Sequence, residues 1–419
     1  MGIKLINKSG LSSVADAIRA KTGTSEALEW PQGYIDAVEA IPTGGGPVSV
    51  PAKEVNFRDY DGTVVYSYTP AEFSALSAMP ANPDHSGDEI PLTSQGWNWS
   101  FADAQAYVAK YGRLEVGQMY ITTDGKTHVL IHLEKGRTSP MLGCCPNGTV
   151  DVDWGDGTAH DTLTGTSVTT VKWTPTHNYA APGEYDIVLT CTGTMGFYGN
   201  SSTNQYSGLL RYSLSMDSRN RVYQNAVQAV YCADSVTNIG GSAFQQCVAL
   251  SSVTIPDGVT SIDSYAFYSC YGLSSITIPN GVTSIGSAFE SRYDLSSITI
   301  PNSITSIGSR AFYSCYGLSS ITIPNGVTSI GDNAFYYCSG LSSVSVPEGV
   351  TSIGGNAFYN CYGLGEIHFT SATPPTVSAS SAFTGIPIDC KIYVPTGSLE
   401  AYTTATNYPS SSKYTYIEE

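Results

Sequence analysis

A phenylalanine returns at Phe244, Phe267, Phe289, Phe312, Phe335 and Phe358, and a frame of about 23 residues repeats around it. Ala266-Phe267, Cys270, Leu273, Ile276, Ile278, Pro279, Val282 and Ile285 recur as Ala311-Phe312, Cys315, Leu318, Ile321, Ile323, Pro324, Val327 and Ile330. One copy has too few apolar side chains to enclose a core, whereas stacked copies bury a continuous one, so the period predicts a solenoid. Stacking also turns every outward position into a column along the stack. Val227, Val230, Cys232, Val236 and Ile239 lie 23 positions before Leu250, Val253, Ile255, Val259 and Ile262, which predicts a degenerate first turn acting as a cap. Phe383 follows Phe358 by 25 residues and Cys390-Lys-Ile-Tyr-Val-Pro395 breaks the frame, marking the second cap of a solenoid over residues 225–419.

A chain of 419 residues exceeds one compact core, and its composition shifts along its length, so several modules are expected. Acidic residues outnumber basic ones 35 to 19, and no basic stripe exists to bind nucleic acid. Charged residues make up only 13%, while Gly, Ser, Thr and Tyr abound, which favours short strands and turns and a mainly β protein. Leu11, Val14, Ala15 and Ile18, then Ile35, Val38 and Ile41 after Pro31, have helical spacing and predict a small helical hairpin over residues 1–46. Residues 47–117 predict a mixed α/β spacer: Thr63–Tyr68 is strand-like, Pro70–Leu76 and Ala102–Tyr111 are helix-like, and Trp97-Asn98-Trp99 forms a turn in a local core. Tyr120–Leu133 alternates about Asp124-Gly125 and predicts a hairpin at the start of a module over 118–196, with a linker over 197–224. No apolar run has the length of a signal-peptide core or a membrane span, so neither export nor membrane insertion is expected.

Five of the ten cysteines, Cys247, Cys270, Cys315, Cys338 and Cys361, stand three residues after a repeat Phe. That position explains them as free thiols in an inward column better than as disulfides. Cys144, Cys145 and Cys191 lie outside the ladder and their redox state stays open.

Three resemblances follow from these residues. Trp154-Gly-Asp-Gly157, His177 with Tyr179, Pro182-Gly183 and the strand Tyr185, Ile187, Leu189 resemble the PKD domain, which implies an immunoglobulin-like sandwich serving as spacer or weak binding module. The repeats resemble the BspA-like class of leucine-rich repeat, which implies a right-handed solenoid used in adhesion and recognition. Val14-Ala-Asp-Ala-Ile-Arg-Ala-Lys-Thr-Gly23 with Trp30-Pro-Gln-Gly-Tyr34 resembles N-terminal segments of tail-associated proteins from bacteriophages of Gram-positive gut bacteria.

Binding candidates lie on the outward columns. In Leu273-Ser-Ser-Ile-Thr-Ile278, strand alternation turns Ser275 and Thr277 outward and predicts a ladder of small hydroxyls. Tyr268, Tyr313, Tyr336 and Tyr359 stand one residue after the Phe, and Tyr271, Tyr293, Tyr316 and Tyr362 four after it. They predict an aromatic strip stepping about 5 Å per repeat. One repeat is a residue shorter and places Arg292 at the Cys position between Glu290 and Asp294. Because a guanidinium resists losing its hydration, this loop is expected to turn outward and present a charged patch.

Asp151, Asp153 and Asp156 lack the spacing of a calcium loop, and His128 with His132 lacks a third zinc ligand, so no metal is expected. Nucleophile elbow, Walker loop and paired CxxC motifs do not occur, and neither cofactor nor enzymatic activity is expected. Together the resemblances imply a bacteriophage tail fibre or tail-tip receptor-binding protein, located in the virion. Residues 1–46 would bind other tail proteins, a homo-oligomer, with a trimer favoured, would add avidity, and the solenoid would bind a host surface glycan or protein. A bacterial surface adhesin and a cell-wall glycan-degrading enzyme are the alternatives.

Overall fold

In the computed structural model of the chain, residues 55–199, 209–211 and 225–419 are described; the expected hairpin of residues 1–46 and most of the 197–224 linker lie outside them. The protein is mainly β, and its C-terminal part is the solenoid that the phenylalanine period predicts. Most repeats supply two short parallel strands, one to each of two faces, and on the first face the strands form a two-stranded and a five-stranded sheet. On that face Ser275–Thr277 lies beside Ser297–Thr299, and further along Ser320–Ile321 lies beside Ser343–Val346. On the other, Ser284–Ile285, Ser306–Ile307, Ser329–Ile330 and Ser352–Ile353 pair in sequence, Ile on Ile. This register stacks like on like: Phe267 and Phe289 lie 5.6 Å apart at 4°, and Phe289 and Phe312 5.8 Å apart at 5°. The Ala, Phe, Leu and Ile or Val positions of the repeats, and the Cys wherever a repeat has one, are buried in one continuous core.

The turn around each Phe depends on two residues with left-handed backbone. Two before the Phe stand Ser242, Tyr265, Arg310, Asn333 and Asn356; two after it stand Gln246, Ser269, Ser291, Ser314, Tyr337 and Asn360. Left-handed dihedrals interrupt simple alternation, so Phe and Cys point inward while the tyrosines between and beyond them point outward. The short repeat has no left-handed residue before Phe289; Ser287–Phe289 is a 3-10 turn instead, as is Ser380–Phe383. One fewer residue is absorbed by the tighter helix.

Both ends of the stack are covered. Strand β11 (Val227–Tyr231) pairs in parallel with β13 (Ser252–Thr254), and its other edge pairs antiparallel with β5 (Thr127–Leu133). The first turn therefore continues into the preceding module's sheet, and no edge is left for another chain to join there. At the far end Phe369, Phe383, Tyr402 and Tyr408 form an aromatic cluster, and Thr415–Glu418 adds a last parallel strand to Lys391–Val394.

Residues 55–122 form an α/β module with its own core, comprising β1 (Val55–Arg58), β2 (Val64–Tyr68), α1 (Pro70–Ser74), β3 (Leu92–Trp97), α2 (Phe101–Tyr111) and β4 (Leu114–Thr122). Both helices occur where the sequence predicts them. Thr69 and Glu72 make a capping box at α1, and Ser100 caps α2, which Gly112 ends in the left-handed conformation. The module is not a free spacer. It lies on the solenoid's first sheet, where Asn98 Nδ2, Trp99 Nε1 and Tyr107 Oη donate to the carbonyls of Ile278, Ile300 and Ile323 in three successive repeats. Arg113 bonds the hydroxyls of Ser343 and Ser345. Gly117 comes so close to Thr277 and Thr299 that any Cβ there would collide with their hydroxyls.

The Asp124-Gly125 turn forms, but β4 and β5 do not make the expected hairpin. Strand β4 joins β1 and β3, whereas β5 pairs with β9 (Gly183–Phe197) and β11. The buried stretch around Val116 serves one core and Val129 and Ile131 the other, so the chain changes sheets at the turn. Strand β9 also pairs with the long β6 (Met141–Asp153), whose further edge carries β7 (Asp161–Thr166) and β8 (Lys172–Trp173).

Candidate recognition surface

The Ser/Thr ladder of the first sheet is not a free surface. Ser275, Ser297, Thr299, Thr322 and Ser345 are buried, because the module over residues 55–122 covers them. The hydroxyls of the second sheet stay in water and bond down the stack: Thr305, Thr328 and Thr351 each donate to the carbonyl of the Thr one repeat earlier, at 3.1–3.2 Å.

The tyrosines do form the predicted edge, in two adjacent rows. In the outer row Tyr271 and Tyr293 stack at 5.2 Å, and Tyr293 and Tyr316 at 4.9 Å. In the inner row Tyr313, Tyr336 and Tyr359 stack at 4.7 and 5.0 Å, within 6° of parallel. Tyr268 packs edge-on against Tyr265. Tyr293, Tyr316 and Tyr362 are 37%, 41% and 56% exposed, while the inner row is half-buried. Within the stacked rows the ring faces are thus taken up by neighbouring rings, and solvent meets edges and hydroxyls; Tyr362 has only the edge-on contact with Tyr337.

Tyr337 is a member of this surface that the repeat pattern did not single out. Where the outer row should hold a tyrosine the chain has Ser339, and Tyr337 turns edge-on toward Tyr316, Tyr336 and Tyr362 to fill the gap. Its φ of 58° is uncommon for an aromatic residue. The signal was its place two residues after Phe335, a position that Ser or Asn holds in the neighbouring repeats.

The expected charged patch is corrected. Arg292 points into the core and is 0% exposed, because its position is the inward Cys position and the repeat frame overrides the preference for hydration. Its Nη2 donates to the carbonyl of Leu273, whereas Nε and Nη1 have no hydrogen-bond partner among the described residues. Burial pulls its pKa below the ordinary arginine value. Glu290 is buried too, and Asp294 half-buried, both carboxyls raised by burial with an arginine opposing the shift. An exposed cation of this edge is Arg310, which lies 5.5 Å from the Tyr313 ring centre and 3.8 Å from Glu290, the residue that stands at the tyrosine position between Tyr268 and Tyr313.

The cysteine ladder is buried and free of disulfides, as are Cys144 and Cys145; Cys191 is free and partly buried. Cys270, Cys315, Cys338 and Cys361 donate to the carbonyl of the Phe one repeat back, at 2.9–3.3 Å. Burial pushes Cys270 up to about 11, with Arg292 opposing it, and holds these thiols protonated.

Away from the solenoid, Trp154 stacks on His177 at 4.4 Å, and His177 bonds Asp156 at 2.9 Å. Gly155 has φ +73° and sits against the Asp186 carbonyl, where a Cβ would clash. These residues build a turn and a local core. His128 lies 2.6 Å from Asp186 and 3.2 Å from Asp124, in a cleft that Glu89 also lines, while His132 is exposed near Glu184. Among the described residues no helix is long and apolar enough to cross a membrane.

Comparison with curated proteins found no match. Among solved structures, the chain is similar to the pneumococcal vaccine antigen PcpA, at 24% identity over 39% of this chain and 40% of that one, with a TM-score of 0.34. A leucine rich cell surface protein from Faecalibacterium prausnitzii has 24% identity over 43% and 62%, TM-score 0.31. A leucine-rich repeat protein from Bacteroides ovatus has 20% identity over 62% and 80%, TM-score 0.31. The match spans less than two thirds of the pneumococcal and Faecalibacterium chains. Residues 219–318 and 286–402 match the family described as BspA type leucine rich repeat region, in six copies. With the stacked strands and the Phe and Cys columns already in place, the solenoid of this chain is a BspA-type leucine-rich repeat region.

Proposed function

We propose that the chain is a recognition protein that attaches to a cell surface through the tyrosine edge of its solenoid, and that it serves on a bacteriophage tail fibre or tail tip. The observation that carries the reading is the edge itself. Nine tyrosines, counting Tyr337, gather on one side of the stack, with Tyr293, Tyr316 and Tyr362 exposed and the others half-buried, and an aromatic strip open to solvent is unusual without a partner. Tyrosine gives contact area at low entropic cost. The tail location, docking through residues 1–46, a PKD-type fold for 118–196 and assembly as a homo-oligomer, with a trimer favoured, rest on sequence resemblance and belong to the same proposal. So does a binding role without catalysis.

A bacterial cell-surface adhesin would use the same solenoid in the same way, and genes for tail components beside this one would separate the two. The direct test is binding of the labelled full chain to a panel of Gram-positive gut bacteria. The combined Tyr293→Ala, Tyr316→Ala and Tyr362→Ala variant should lose binding with its thermal unfolding nearly unchanged. Undiminished binding rejects the site. Release of reducing sugar from bound cell walls would reject the non-enzymatic reading.

A further inference from the structure

Building on the proposed recognition role of this edge, we infer that its occupant is a linear, neutral polysaccharide lying along the solenoid axis, read by the row of tyrosine hydroxyls at about one sugar per repeat. Three observations lead there. The ring faces of Tyr271, Tyr293 and Tyr316 are stacked on one another at 4.9–5.2 Å, so a sugar cannot slide onto a free face within the row; the edges and hydroxyls are what remain. Those hydroxyls are spaced by the stacking of adjacent strands, and a pyranose ring in an extended polymer has about the same length. One hydroxyl of the row is engaged within the protein: Tyr271 Oη donates to Ser269 Oγ at 3.2 Å and keeps its oxygen as an acceptor. A sugar presents both donors and acceptors and suits a row of phenols, a group that can serve as either.

The charge balance favours a neutral ligand. On this edge Arg310 is matched by Glu290, and Arg292 is withdrawn into the core, so no cation column awaits an anionic polymer. The regularity favours a repeating ligand. A folded protein offers an irregular surface and is gripped by anchors in desolvated pockets, whereas this edge offers the same shallow contact repeatedly, and repeated weak contacts add along a polymer. Tyr337 fits the same picture, since it restores the aromatic surface where Ser339 would interrupt it.

The test uses the full chain on bacteria that it binds, with two sets of variants. Tyr293→Phe, Tyr316→Phe and Tyr362→Phe together keep the stack and remove three hydroxyls, so binding should weaken about tenfold or more, the scale of several lost neutral hydrogen bonds. Periodate treatment of the cells, which cleaves vicinal diols, should abolish binding, and protease treatment should leave it intact. If the Ala variants lose binding while the Phe variants keep it, or if protease abolishes it, the surface recognises a protein: the polysaccharide is overturned and the recognition role stands. If the Ala variants bind like the wild type, both fall. A tyrosine-dependent oligomer in size-exclusion chromatography would make a second copy the occupant and also overturn the inference.

Discussion

The indole Nε1 of Trp99 donates to the carbonyl of Ile300 at 3.0 Å, across 201 positions of sequence, and the ring is buried against Tyr107. This bond, with those from Asn98 to Ile278 and Tyr107 to Ile323, ties the α/β module to three repeats. The described residues from Val55 to Glu419 accordingly form one compact unit. Trp99→Ala removes a large buried ring and leaves a carbonyl without its donor, so it should lower stability by about 3–5 kcal/mol. A denaturant melt followed by circular dichroism checks it; a change below about 1 kcal/mol would mean that the module rests only loosely on the sheet.

Arg292 holds a charge in the core with two nitrogens unpartnered. A buried ion that lacks full compensation is often worse than an apolar group of similar fit. Arg292→Met, a neutral side chain of similar length, should raise stability by about 1–4 kcal/mol. A lower melting temperature than that of the wild type would show that the guanidinium has partners that compensate its burial.

Burial works against the charged imidazole of His128, yet its hydrogen bonds with Asp186 and Asp124 prevail and raise its pKa above the ordinary value. Because the folded pKa exceeds the unfolded value of about 6.5, the stabilisation is fully present below that pH and is lost as the pH rises through the folded pKa. His128→Gln should therefore be destabilising in mildly acidic buffer and approach the wild type in alkaline buffer. Urea midpoints measured across that range decide it, and a difference that grows with pH would refute the assignment.

The ladder cysteines are protonated, enclosed and bonded to backbone carbonyls. Labelling with a bulky aromatic disulfide reagent should spare them in the native protein, reach the partly buried Cys191 first, and modify all ten only after unfolding. Reducing agent should leave the melting temperature unchanged; a drop would reveal a disulfide.

The period of the phenylalanines determined the solenoid, its inward columns and the rows of tyrosines, because a repeat that stacks in register puts identical positions one above another. Local rules also reached both short helices, whose caps lie within a few residues of the segments they end. At Arg292 the preference of a guanidinium for water misled, because the frame of the stack pulled the residue inward. Periodicity failed at Tyr337, since a non-repeating residue has no column to announce it.

What only the tertiary structure decided is which columns stay in water. Ser275 and Thr277 read as outward residues, and so they are, but outward from a single solenoid; a module more than 150 residues earlier folds back and covers that sheet. Strand alternation is a local property and cannot report such a partner. Nor could it tell that Asp124-Gly125 sends its two strands into different sheets, because a turn fixes the bend and the two cores fix where each strand goes. The tyrosine edge needed both levels: the repeat placed the residues, and packing turned their faces on one another and left their hydroxyls to the solvent.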